Sequence, residues 1–257
     1  MKKTKKLSMR VAIGASALLA GGAAQAALIN WGSSTFAYGT DETAWISTSG
    51  GPSGFVSAIN ASDSTNATVS YGGIVWENAS QTELVAGITQ NGVTITGGGA
   101  NINYINTFGP GSFTSDPDNF YDGGIYSINS IAITGLTPGQ LYELQFMAID
   151  DRGTDVRNTI FGDGTQDYTA SISAGTAGNI LIRTNPAGQG SYVTGTFVAD
   201  GSGNQDISIY GNRNADLSMN QVGSSAQINA FQLRAIPEPS VALLGGLGLI
   251  GLLRRRR

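Results

Sequence analysis

The chain has 257 residues and neither a cysteine nor a histidine. That excludes thiolate nucleophiles, disulfide scaffolds, thiolate or imidazole zinc sites and a Ser-His-Asp triad. Lysine and arginine crowd the two ends, so residues 27–236 hold five arginines, no lysine and seventeen carboxylates, a formal charge of −12 against −4 for the whole chain. So anionic a body repels phosphate backbones, and no nucleic-acid partner is expected.

The first ten residues carry Lys2, Lys3, Lys5, Lys6 and Arg10, and an apolar run follows over 11–20. Ala24 and Ala26 then put small side chains at the two positions that define signal cleavage. This order predicts a secretory signal peptide over 1–26, cut after Ala26, with the export translocase and signal peptidase as partners.

Between the ends, glycine reaches 37 residues and charged residues only 12%. With many Ser, Thr and Asn, that composition favours short strands and frequent turns over disorder. No stretch of ten residues has apolar side chains at helical spacing; the recurring signal is alternation bounded by Gly, Asn, Asp or Pro. Trp31, next to the apolar Leu28 and Ile29, reads as core packing for a first strand, because an indole buries a large area. Further strands are expected over 68–76, 84–89, 93–96, 102–107 and 125–136. Residues 140–150 carry the clearest alternation: Tyr142, Leu144, Phe146 and Ala148 on one face, Glu143 and Gln145 pointing away. The preceding Thr137-Pro138-Gly139 suits a type II turn. Strands over 168–173, 180–184, 192–199, 206–210 and 227–235 complete the pattern. The expectation is all-β, one antiparallel sandwich over 27–235.

The most site-like stretch is 108–124. It sets Phe113, Phe120 and Tyr121 among Asp116, Asp118, Asn119 and Asp122. An aromatic face beside in-plane donors and acceptors is what a sugar ring needs. The alternative is a loop whose aromatics fold back over the core edge. Asp116, Asp118 and Asp122 also offer oxygens to calcium, as do Asp200, Asn204 and Asp206. The second set lacks the bidentate glutamate of an EF-hand and sits between two strands, where a hairpin turn rich in Gly and Asn is the cheaper account. A third cluster, Asp150, Asp151 and Asp155, is neutralised locally by Arg152 and Arg157; the alternative is an extended site that also recruits Asp163 and Asp167. The body's glutamates, Glu42, Glu77, Glu83 and Glu143, show no spacing that marks a catalytic pair, so no catalytic residue is named.

At the far end, Pro237-Glu238-Pro239-Ser240 precedes thirteen uncharged, mostly apolar residues over 241–253, and then Arg254, Arg255, Arg256 and Arg257. As a helix, 241–253 would rise about 20 Å, short of a hydrocarbon core of about 30 Å. The arginines resist crossing and would hold that end in the cytoplasm, with the body facing outward.

In order, spacing and position, residues 236–257 resemble a PEP-CTERM sorting signal. The resemblance implies an exosortase-type processing enzyme in the inner membrane of a Gram-negative-type bacterium, and a cargo associated with exopolysaccharide and biofilm matrix. A plain, unprocessed membrane anchor is the alternative. Residues 125–235 are similar to bacterial jelly-roll modules of the galactose-binding or carbohydrate-binding type. The residues that carry this are Gly135-Leu136-Thr137-Pro138-Gly139, the Tyr142-x-Leu144-x-Phe146 strand and the closing Ile228-Asn229-Ala230-Phe231-Gln232-Leu233. The likeness implies a jelly-roll-like sandwich and leaves a structural calcium as the one cofactor in question. The reading is an exported, non-catalytic, glycan-associated surface or matrix protein. A secreted carboxylate-dependent glycan hydrolase or lyase and a calcium-dependent adhesin stay open beside it.

Overall fold

A computed structural model of the chain describes residues 28–37, 46–61, 68–99, 103–105, 123–148, 158–163, 179–183, 189–212 and 226–238. Among them, two sheets pack face to face as a β-sandwich. The larger has seven strands in the order β1 (Asn30–Ala37), β13 (Gln189–Val198), β10 (Leu141–Ala148), β16 (Ala230–Ala235), β2 (Phe55–Ala61), β4 (Ile74–Ala79) and β3 (Val69–Tyr71). The smaller has six: β12 (Asn179–Arg183), β11 (Asn158–Gly162), β14 (Gln205–Asn212), β9 (Ser130–Thr134), β6 (Val93–Gly98) and β5 (Ile88–Gln90). A short third sheet joins β15 (Gln227–Ile228), β8 (Gly124–Tyr126) and β7 (Asn103–Ile105).

The period of two builds the core. Leu144 and Phe146 of β10, Val193 and Phe197 of β13, and Phe231 and Leu233 of β16 face Ile95, Ile131, Ile133, Phe161, Ile207 and Ile209 of the smaller sheet, all in one buried cluster. Phe146 stacks on Phe161 across the layer at 4.9 Å between centroids. Trp31 packs on the rings of both, at 6.4 and 6.0 Å, which is the packing role its apolar neighbours suggested. The indole has room because its cross-strand partner is Gly195. A Cβ there would lie 2.6 Å from the ring.

Several expectations need correction. Residues 84–89 are not a strand. Ser80 and Glu83 form a reciprocal capping box that starts helix α1 (Gln81–Ala86), and only Ile88–Gln90 is extended. Residues 68–76 are a hairpin, β3 and β4, turned by Gly72 and Gly73 at φ 60° and 75°; two positive φ values are what a tight hairpin turn requires. Residues 125–136 break at Ser127, φ 60°, so β8 and β9 enter different sheets. The sandwich is also not wholly antiparallel, since β2 and β4 pair in parallel. Strands β2 and β11 had no counterpart in the sequence reading, and residues 168–173 lie outside the described residues. No helix among the described residues is long and apolar enough to cross a membrane; residues 241–253 are outside them.

Candidate functional site

The side chains that β10 and β16 turn away from the core are mostly polar. Glu143 lies opposite Arg234, Gln145 opposite Gln232, and Met147 opposite Ala230. Alternation alone would leave them in water. Instead the segment 46–54 lies against them as a strap, and Gln145 and Gln232 are no more than 1% exposed. The strap's backbone needs partners outside any ladder, and long amide and guanidinium side chains supply them. Ser47 N donates to Gln145 Oε1 at 2.9 Å, and Gln232 Nε2 donates to Ser47 O at 3.1 Å and to Gln145 Oε1 at 2.6 Å. The Ser47 hydroxyl bonds the Glu143 carboxylate. Arg234 donates through Nε to Ser49 O at 2.6 Å and through Nη2 to Gly51 O.

A local irregularity shapes what lies beside the strap. Leu233 pairs with Ser57 but Arg234 pairs with Phe55, so Val56 is an extra residue in β2. This β-bulge turns Val56 onto the core and sets Phe55 beside Arg234 on the outer face. Together with the strap and the Gly72–Gly73 turn they enclose a cleft of about 430 Å³. Its apolar walls are Pro52, Phe55, Ile74 and Val75, and Arg234 is its charged wall. Burial pulls the Arg234 guanidinium below its usual range, while the charge of Glu143 holds it up. At so basic a starting value it remains a cation at neutral pH. A buried cation in an apolar hollow can orient an anionic group.

Of the residues singled out from sequence, Phe113, Asp116, Asp118, Asn119, Phe120, Tyr121 and Asp122 lie outside the described residues. So do Ala24, Ala26, Pro239 and Arg254 to Arg257, and the cluster at 150–157. Pro237 and Glu238 are described and exposed. They follow β16 directly, where Ile236 N bonds Leu141 O at 2.9 Å and Gln140 Nε2 bonds Ile236 O at 2.5 Å. Asp200 closes a turn: its Oδ1 accepts from Ser202 N and Asn204 N at 2.8 and 2.9 Å. Asp206 is exposed on β14, paired with Ala132 on the solvent side of the smaller sheet. Among the described residues, no three carboxylates gather in a metal-holding group. Glu83 is spent on the α1 cap and Glu143 on the strap. Sequence reading missed Arg234 and its cleft. The available signal was one arginine in a closing strand that is otherwise uncharged, within a body that has only five.

No family model and no curated protein matches the chain. Solved structures similar to it include Bacteroides uniformis β-glucuronidase 2 covalently bound to cyclophellitol-6-carboxylate aziridine, at 13% identity and a TM-score of 0.40. The ANX2 ectodomain from Arabidopsis thaliana is similar at 12% identity and a TM-score of 0.36. Each match covers 72% of this chain, which spans only 18% of the first protein and 50% of the second. At that distance the likeness bears on neither activity nor ligand.

Proposed function

We propose that this is an exported, non-catalytic sandwich protein of the surface or extracellular matrix of a Gram-negative-type bacterium. Its signal peptide is removed at Ala26, and its C-terminal segment holds it briefly in the inner membrane. Pro237-Glu238-Pro239 then presents it to an exosortase-type enzyme, and exopolysaccharide is its partner in the matrix, contacted through the 108–124 loop. One observation supports the sorting step. The sheet ends at Ala235, Ile236 is still tied to β10, and Pro237 and Glu238 are exposed immediately afterwards. A processing enzyme would therefore reach the motif without unfolding the body. Deleting residues 237–257 is expected to move the protein from the membrane fraction to a soluble periplasmic or secreted form. Unchanged fractionation would reject the sorting role. Retention of exopolysaccharide binding in Tyr121→Ala would separately reject the loop as the glycan contact.

A further inference from the structure

We propose that the cleft at Arg234 binds a ligand carrying one carboxylate on an apolar body. This site is independent of the sorting reading and of the 108–124 loop. Its volume, about 430 Å³, lies in the range of small-molecule sites. Among the described residues Arg234 is its one charged wall, and it is 4% exposed. Two of the five N–H groups of the guanidinium are held by the Ser49 and Gly51 carbonyls, which fixes the plane of the fork. Among the described residues the remaining N–H groups have no acceptor. A planar fork matches the two oxygens of a carboxylate. Glu143, the neighbouring carboxylate, does not line the cleft and accepts from the Ser47 hydroxyl instead.

The walls define the rest of the ligand. Pro52, Phe55, Ile74 and Val75 are apolar, and among the described residues Thr48 is the only other side chain there that can hydrogen-bond. A hydroxylated sugar body would leave most of its hydroxyls unmatched, each at a cost, whereas an apolar body gains from every ångström squared it buries. Val75 is 56% exposed at the lip, apolar surface that such a body would cover. Gly51 and Gly73 keep the mouth open: a Cβ on either would meet nothing within 4 Å, and both have positive φ, which selects against larger residues. The −12 body disfavours polyanions at long range, so a single charge is the better match.

Two sources carry this chemistry: a free organic acid, and a peptide chain ending in an apolar residue. Titration of the protein purified as the cell produces it, with 3-phenylpropionate and with N-acetylleucine, distinguishes them by which binds more tightly. Saturable binding of at least one is expected, with acetate and 3-phenylpropanol weaker by about tenfold or more, because each lacks one half of the recognised chemistry. Val75→Asp puts a like charge on an exposed lip. It is expected to weaken the acid by about tenfold while leaving the unfolding midpoint in place. The proposal is overturned by the absence of saturation for both acids up to about 10 mM, by glucuronate binding as tightly as either, or by an unchanged affinity in Val75→Asp.

Discussion

The outer faces of the two sheets obey the same alternation and end in different surroundings. On the smaller sheet, Thr89, Thr134 and Asp206 are exposed and Thr94 and Thr96 are half-buried; Thr89 and Thr94 share a hydroxyl contact at 2.8 Å. Water satisfies such short side chains, and their β-branching favours the strand. On the larger sheet the corresponding positions are Gln145, Gln232 and Arg234, and the strap covers them. Ala58, Trp76, Met147 and Ala230 are likewise buried without belonging to the inter-sheet core. The lesson is that side-chain type, more than polarity, separates a wet face from a covered one. Threonines decorate a surface, while amides and a guanidinium carry enough donors and acceptors to hold a second backbone.

The comparison can be tested against the core first. Phe146→Ala removes a ring that touches Trp31, Phe161 and Phe231, and is expected to cost about 3–5 kcal/mol in denaturant unfolding. Gln232→Ala should come next, at about 1–3 kcal/mol, because it strands Ser47 O and part of Gln145 under the strap. Thr134→Ala, across the sandwich, should stay within about 0.5 kcal/mol. Equal losses for Gln232 and Thr134 would mean that the strap is no packed layer. Between these lies α1, whose stability is local. Ser80→Ala is expected to cost about 1 kcal/mol.

That last loss should also depend on pH. The Ser80 hydroxyl and amide hold the Glu83 carboxyl below its ordinary value of 4.5. A depressed folded-state pKa contributes stability that is present above the unfolded value and lost as pH falls through the folded one. The gap between wild type and Ser80→Ala should therefore narrow on acidification below that range. A gap that stays constant from neutral to acid pH would assign the cap's worth to something other than this carboxylate.

How much was legible varied with the range of the interaction. Residues 140–150 announced β10 because one face is buried by large apolar side chains at strict spacing. The α1 cap is equally local, Ser80-x-x-Glu83, although the sequence reading expected a strand over 84–89. Strand β2 resisted reading for a different reason: Ser57 to Ala61 are buried on both faces, so no alternation survives. The glycan and cleavage candidates could be read as motifs, but their residues fall outside those described. Arg234 was visible only as a lone charge, because its partners Ser49 and Gly51 lie 185 and 183 positions away.

Sequence by itself determined the absence of thiol and imidazole chemistry, the anionic body between cationic ends, the β-rich pattern and the turns that glycine permits. These are properties of composition or of neighbours a few residues apart, where sterics and periodicity act directly. Only the tertiary structure decided which polar face is covered, where β2 takes an extra residue, and that Phe55, the Gly72–Gly73 turn and Arg234 share one cleft. Such outcomes depend on strand order and register, which bring distant segments within hydrogen-bonding reach and which short-range preferences do not encode.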